Sequence, residues 1–129
     1  MRVRAKLLIL CLGAAAIVGA CSSTGDPSSR AVEQYLKAMV AGDSVQTTKL
    51  ACKDFEDQAS KDADSFGGVK ASLSGAACKK TGTGNGADLV VCTGKINATY
   101  GNEQQEFDLA GPVYSVVQQS GDWLVCGRQ

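Results

Sequence analysis

The sequence predicts an α+β domain in which amino-terminal helices cover one face of a curved, four-stranded antiparallel meander sheet. Three observations carry that expectation. Apolar residues recur at helical spacing between Val32 and Phe66, they alternate with polar ones beyond Gly68, and glycine-rich turn signals separate the alternating runs. Helices followed by hairpin-linked strands is the order of a segregated α+β fold, because a parallel sheet needs crossover connections between its strands.

The first helix opens at Asp26-Pro27, an N-cap residue followed by proline where its missing N–H costs nothing, and stops at Gly42. Val32, Tyr35, Leu36, Met39 and Val40 fall at i, i+3, i+4, i+7 and i+8, one buried stripe. Asp43 with Gln46 three residues later has the form of a capping box and starts a short second helix toward Cys52. A third begins near Asp54 and sets Phe55, Ala59, Ala63 and Phe66 on one side before Gly67-Gly68 ends it.

Beyond Gly68 the period becomes two. Val69, Ala71 and Leu73 alternate with Lys70, Ser72 and Ser74; Val90, Cys92, Ile96, Ala98 and Tyr100 alternate with Val91, Thr93, Lys95, Asn97 and Thr99. The loop between them ends in Asn85-Gly86, the strongest short hairpin signal. A third strand is expected from about Gln105 to Gln119, with a bulge or bend at Gly111-Pro112, since proline cannot donate to a ladder. Ser120-Gly121-Asp122 turns the chain into a last strand that holds Trp123, Leu124, Val125 and Cys126.

That strand order ranks the disulfides. Cys78 and Cys92 lie seven residues to either side of Asn85, so a hairpin centred there sets them opposite one another. Cys92 with Cys126 would join strands two apart, roughly 9.5 Å at about 4.8 Å per strand, beyond a disulfide's reach. The favoured pairs are therefore Cys78–Cys92 and Cys52–Cys126. Cys78 falls on the polar parity of its strand unless a bulge at Gly75 shifts it.

The amino terminus carries an address. Met1 to Lys6 is a short basic flank and Leu7 to Val18 an apolar run, too short for the roughly 20 residues a membrane-spanning helix needs. Val18-Gly19-Ala20-Cys21 then resembles the lipobox of bacterial lipoproteins. The resemblance implies a signal peptide over residues 1–20, cleavage before Cys21, and attachment of diacylglycerol and a further acyl chain such as palmitate to Cys21. Two or three chains anchor stably where one does not. Ser22 rather than Asp after the cysteine implies the outer membrane in a two-membrane organism, and otherwise the outer face of the plasma membrane. Residues 21–27 read as the lipidated terminus and a flexible tether, and 28–129 as one α+β domain.

The composition bounds the chemistry. The chain has 129 residues with 13 Lys plus Arg against 13 Asp plus Glu, so it offers no basic field for nucleic acid. Removal of residues 1–20 takes Arg2, Arg4 and Lys6 and no acid, leaving ten basic against thirteen acidic residues. There is no histidine, which excludes Ser-His-Asp and Cys-His catalysis and imidazole metal sites. Four cysteines remain in the exported part, Cys52, Cys78, Cys92 and Cys126, without a C-x-x-C pair, and an even count in an oxidising compartment reads as disulfides rather than zinc or redox chemistry. The run from Thr81 to Gly86 lacks the Gly-Lys-Ser/Thr of a phosphate loop, and Asp54, Glu56, Asp57, Asp62 and Asp64 lack EF-hand spacing and read as a solvated helix face. No cofactor, metal or catalytic residue is expected.

Ala31 to Asp43 resembles the opening helix of the nuclear transport factor 2-like superfamily, which ends in Gly-Asp as this one does at Gly42-Asp43. Ser120-Gly121-Asp122-Trp123-Leu124-Val125 is similar to its last hairpin. The resemblance covers about residues 28–127 and implies a cone-like domain, closest to extracytoplasmic lipoproteins of that group, whose members include enzymes, binders and interaction modules. Isomerase chemistry in that superfamily implies an aspartate base with a tyrosine and a second acid. Tyr35, Tyr100, Tyr114 and Asp108 supply the types without a matching spacing, and Asp108 sits on the solvent parity of its strand. Tyr35, Phe55, Phe66, Tyr100, Phe107 and Trp123 are the candidate lining of an apolar pocket, ordinary core packing being their commoner use. The expected function is a non-catalytic binding or interaction module of the envelope, membrane-bound through Cys21 and partnered by another envelope protein. A small-molecule binder or isomerase-type enzyme is the alternative.

Overall fold

The computed structural model describes residues 25–129, so the leader and the acceptor Cys21 lie outside the described residues. Helix α1 spans Pro27–Val40, with Asp26 at the N-cap position and proline at N1; the Asp26 side chain makes no capping bond. Its apolar stripe is buried as the spacing requires, Val32, Tyr35 and Leu36 having no exposed surface. At its end Gly42 takes a φ of 68°. Gly42 N–H donates to Met39 O at 3.0 Å and Asp43 N–H to Ala38 O at 3.1 Å, the paired bonds of a left-handed helix stop.

Helix α2 spans Ser44–Lys49 and is capped by Asp43, whose side chain accepts from Gln46 N–H at 2.9 Å. A 3₁₀ turn, Lys53–Phe55, leads into α3, Glu56–Asp64, which buries Ala59 and Ala63. None of the described helices is long and apolar enough to cross a membrane.

The sheet is antiparallel, with five strands where four were expected: β1 Lys70–Gly84, β2 Ala87–Tyr100, β3 Glu103–Asp108, β4 Val113–Gln119 and β5 Asp122–Arg128. The extra strand comes from the expected third one, which breaks around Gly111-Pro112. Both pieces still pair with β2, β3 along Lys95–Tyr100 and β4 along Asp88–Val91. Order along the sheet is β1-β2-β4-β5, with β3 attached to β2 alone. Among the described residues β5 pairs with β4 only, so β3 is left as an edge strand.

The β1–β2 hairpin turns at Asn85-Gly86, with φ of 53° and 77° as a type I′ turn requires. Its ladder is broken between Ser74 and Ala77, where Gly75 and Ala76 face Gly94 alone. That bulge shifts the parity of β1: Ala71 and Leu73 are inward before it, Ala76 and Cys78 after it. Cys78 thereby reaches the face of Cys92, and the two are bonded with Cα atoms 4.0 Å apart. Cys52 and Cys126 form the second bridge, Cα atoms 4.7 Å apart. Its geometry is set by a short parallel bridge between Ala51 and Val125, in which Cys52 N–H donates to Val125 O at 2.8 Å and Val125 N–H to Leu50 O at 2.9 Å.

Candidate functional site

The side chains able to move protons converge where α1, α3, β4 and β5 meet. Tyr35 on α1 donates its hydroxyl to Asp62 Oδ2 at 3.1 Å. Gln58, one turn back on α3, donates to Asp62 Oδ1 at 2.8 Å. Arg128 closes the other side as a fork, Nη1 2.9 Å from Oδ2 and Nη2 3.3 Å from Oδ1. Tyr114 stands opposite Arg128 in the β4–β5 ladder, its ring 6.4 Å from that of Tyr35.

Burial is the main reason both tyrosines ionise above their ordinary range. The Asp62 charge and its hydrogen bond add to the effect at Tyr35, and Arg128 opposes it at Tyr114. Both phenols are therefore neutral at physiological pH. The carboxylate is saturated by a phenol, an amide and a guanidinium, and Tyr35 and Tyr114 are buried. None of these five residues lines either of the larger cavities described below. The cluster joins α1 and α3 to β5.

Open space lies elsewhere. A groove of about 890 Å³ crosses β1, β2 and β3 beneath the end of α1. Its helical wall is Val40 and Ala41, its sheet floor includes Ala71 and Ala98, and Gln104, Gln105 and Glu106 form its far rim. The register explains the space. Ala71 pairs with Ala98 and Ala98 with Gln105, so two methyl groups stand in this row, whereas the next row is Leu73, Ile96 and Phe107. Ser72, Asn97 and Thr99 add hydroxyl and amide groups, and Val69 and Lys70 complete the lining. Such a surface recognises by hydrogen bonding and contact, with one cation, Lys70, and one carboxylate, Glu106, the latter paired with Lys95 at 3.1 Å.

Five of the six candidate pocket residues meet in or against one core cluster, where the rings of Tyr35 and Phe55 lie 6.3 Å apart. Tyr35 and Phe66 are buried in the core, while Phe55, Tyr100 and Trp123 pack partly buried against it. Phe107 is 40% exposed on β3. None of the six lines the large groove, and Trp123 alone of them lines the second, of about 450 Å³, beside Pro27 and Leu50. Asp108 is exposed and its Oδ1 accepts from Ala110 N–H at 2.8 Å, a turn bond after β3. Asp62 departs from the solvated face expected of it. Its partners Tyr35 and Arg128 are 27 and 66 residues away, so no local spacing announces them.

Among the described residues no group of three or more histidine, cysteine, aspartate or glutamate side chains is placed to hold a metal ion. No protein-family model matches the chain, and no curated protein matches it.

Proposed function

We propose that this chain is a lipid-anchored extracytoplasmic protein of the bacterial envelope, held to the membrane through acylated Cys21, whose domain is a non-catalytic module that binds another envelope protein. The lipobox Val18-Gly19-Ala20-Cys21 supports the anchor. The two disulfides of the domain are compatible with the oxidising side of the membrane. A cone-like, nuclear transport factor 2-like domain is part of the same proposal, supported by the helices-first order and by the short motifs at Gly42-Asp43 and Gly121-Asp122-Trp123.

The observation that carries the binding reading is the separation of chemistry from space. The Asp62 carboxylate, the two phenols and the Arg128 guanidinium gather in one cluster apart from the open groove beside β3, whose lining is chiefly small, hydroxyl and amide residues together with Lys70 and Glu106. A second reading, a small-molecule seat, draws on the groove's volume of about 890 Å³, ample for a compact ligand.

Photo-crosslinking from position 105 in the native bacterium separates them. A photoreactive residue in place of Gln105 is expected to give a discrete protein adduct, and one in place of the exposed Asp57 on α3 is not. Adducts of small mass only would favour the second reading, and no adduct at all would remove the groove as the binding site.

A further inference from the structure

We propose that the outer edge of β3 is a strand-addition site for an extended, basic segment of a partner protein. The inference rests on the binding-module reading above and names its mode and partner chemistry. Each of the sheet's other outer edges is met at one point by another part of the chain. Leu50 and Cys52 bridge to Val125 along β5, and the Glu33 side chain of α1 accepts the Cys78 N–H of β1 at 3.1 Å. Among the described residues, β3 has neither device and pairs with β2 alone, and all of its residues are exposed.

The hairpin geometry says which groups face outward. Tyr100 and Glu103 flank a two-residue turn and so form a hydrogen-bonded pair, which makes Gln105 and Phe107 inward-bonding in turn. Leu109 N–H, next in that parity, does donate to β2 at Gly94 O, 2.9 Å. The N–H and C=O groups of Gln104, Glu106 and Asp108 therefore point away from the sheet, and among the described residues none bonds to them. This is the row of groups that an added strand takes up.

Charge selects the occupant. Glu103, Glu106 and Asp108 lie along the strand, and Lys95, 3.1 Å from Glu106, is the cation bonded to it. A second copy of this chain, edge to edge, would set six such carboxylates against two Lys95 residues. An extended segment with lysine or arginine at alternate positions would neutralise Glu106 and Asp108, which share one face of the strand, and its intervening apolar side chains would cover the exposed Phe107 on the other.

The test uses the full chain in detergent and a fluorescent octapeptide of alternating lysine and valine, with the glutamate-valine counterpart as control. The lysine peptide is expected to bind at least tenfold more tightly. Gln104→Pro removes an outward N–H without costing a ladder bond and is expected to weaken binding at least tenfold. Glu106→Lys is expected to do the same through charge, and it tests the edge even where the proline variant fails to fold. Equal binding of the two peptides, or affinity untouched by both substitutions, would overturn the proposal. So would self-association of the protein that Gln104→Pro abolishes, since the occupant would then be a second copy. A protein adduct from position 105 without lysine-peptide binding would sink the edge and leave the module standing.

Discussion

Gly94 lies against the carbonyl of Gly75 so closely that a Cβ on Gly94 would stand 2.6 Å from the Gly75 oxygen. The contact is the inner side of the bulge that turns Cys78 toward Cys92, and Gly94 holds a φ of 106° to make it. The β1 disulfide therefore depends on a glycine in the opposite strand.

Gly94→Ala is expected to destabilise the domain by about 2–4 kcal/mol, from backbone strain and from a clash that main-chain atoms cannot relieve. Gly82→Ala, where a Cβ meets nothing within 4 Å, is the matched control and should stay within about 0.5 kcal/mol. Denaturant midpoints of the two variants decide it; equal values would remove the bulge from the account.

Loss of the Asp62 carboxylate should loosen the join between α3, α1 and β5. Asp62→Asn is expected to cost about 2 kcal/mol, because charge-assisted bonds from Arg128 and Tyr35 are weakened together. Asp57→Asn on the exposed side of α3 should be near neutral in the same urea titration.

The same cluster sets an alkaline limit. Tyr35 and Tyr114 ionise above their unfolded value of 10.0, first because they are buried. A raised folded pKa means that the native state keeps protons the unfolded chain has released, so this stabilisation is complete below pH 10 and is lost as pH rises beyond it. Absorbance at 295 nm should show these phenols ionising together with unfolding. Their early ionisation in a chain that is still folded would contradict the buried cluster.

The two bridges should differ in weight. They close loops with sequence separations of 74 and 14 residues, for which chain entropy gives somewhat over 4 and about 3 kcal/mol. Serine replacement of Cys52 and Cys126 together is expected to lower the thermal midpoint more than replacement of Cys78 and Cys92. The reverse order would mean that the helical segment is held chiefly by other contacts.

Glu33 is a smaller device of the same kind. Its carboxylate takes the outward N–H of Cys78 across 45 residues, and Glu33→Ala is expected to cost about 1 kcal/mol while raising exchange of the Cys78 amide. Unchanged amide protection would show that α1 covers the β1 edge without it.

Local chemistry wrote much of this fold into the sequence. Pro27, Gly42, Asp43 and Asn85-Gly86 act within a few residues of themselves, and each marks a boundary or turn that the structure has. The position of Asn85 was enough to pair Cys78 with Cys92. The end of β1 was hidden, because Thr81 to Gly84 reads as a glycine-rich loop where the strand in fact continues to Gly84. The split of β3 from β4 was visible only as a bend at Gly111-Pro112. Asp62 was illegible for a different reason: a carboxylate on a polar helix face looks the same whether or not an arginine 66 residues away reaches it. Phe107 follows an alternation that normally means burial, and it is exposed because no strand among the described residues pairs with the outer edge of β3.

The most direct measurement of the central claim is intact-mass and peptide analysis of the protein taken from its own membrane, with and without reduction. The account predicts a chain beginning at an acylated Cys21, with Cys52 bonded to Cys126 and Cys78 to Cys92. A free Cys21 behind an uncleaved leader, or four reduced thiols in the domain, would contradict it.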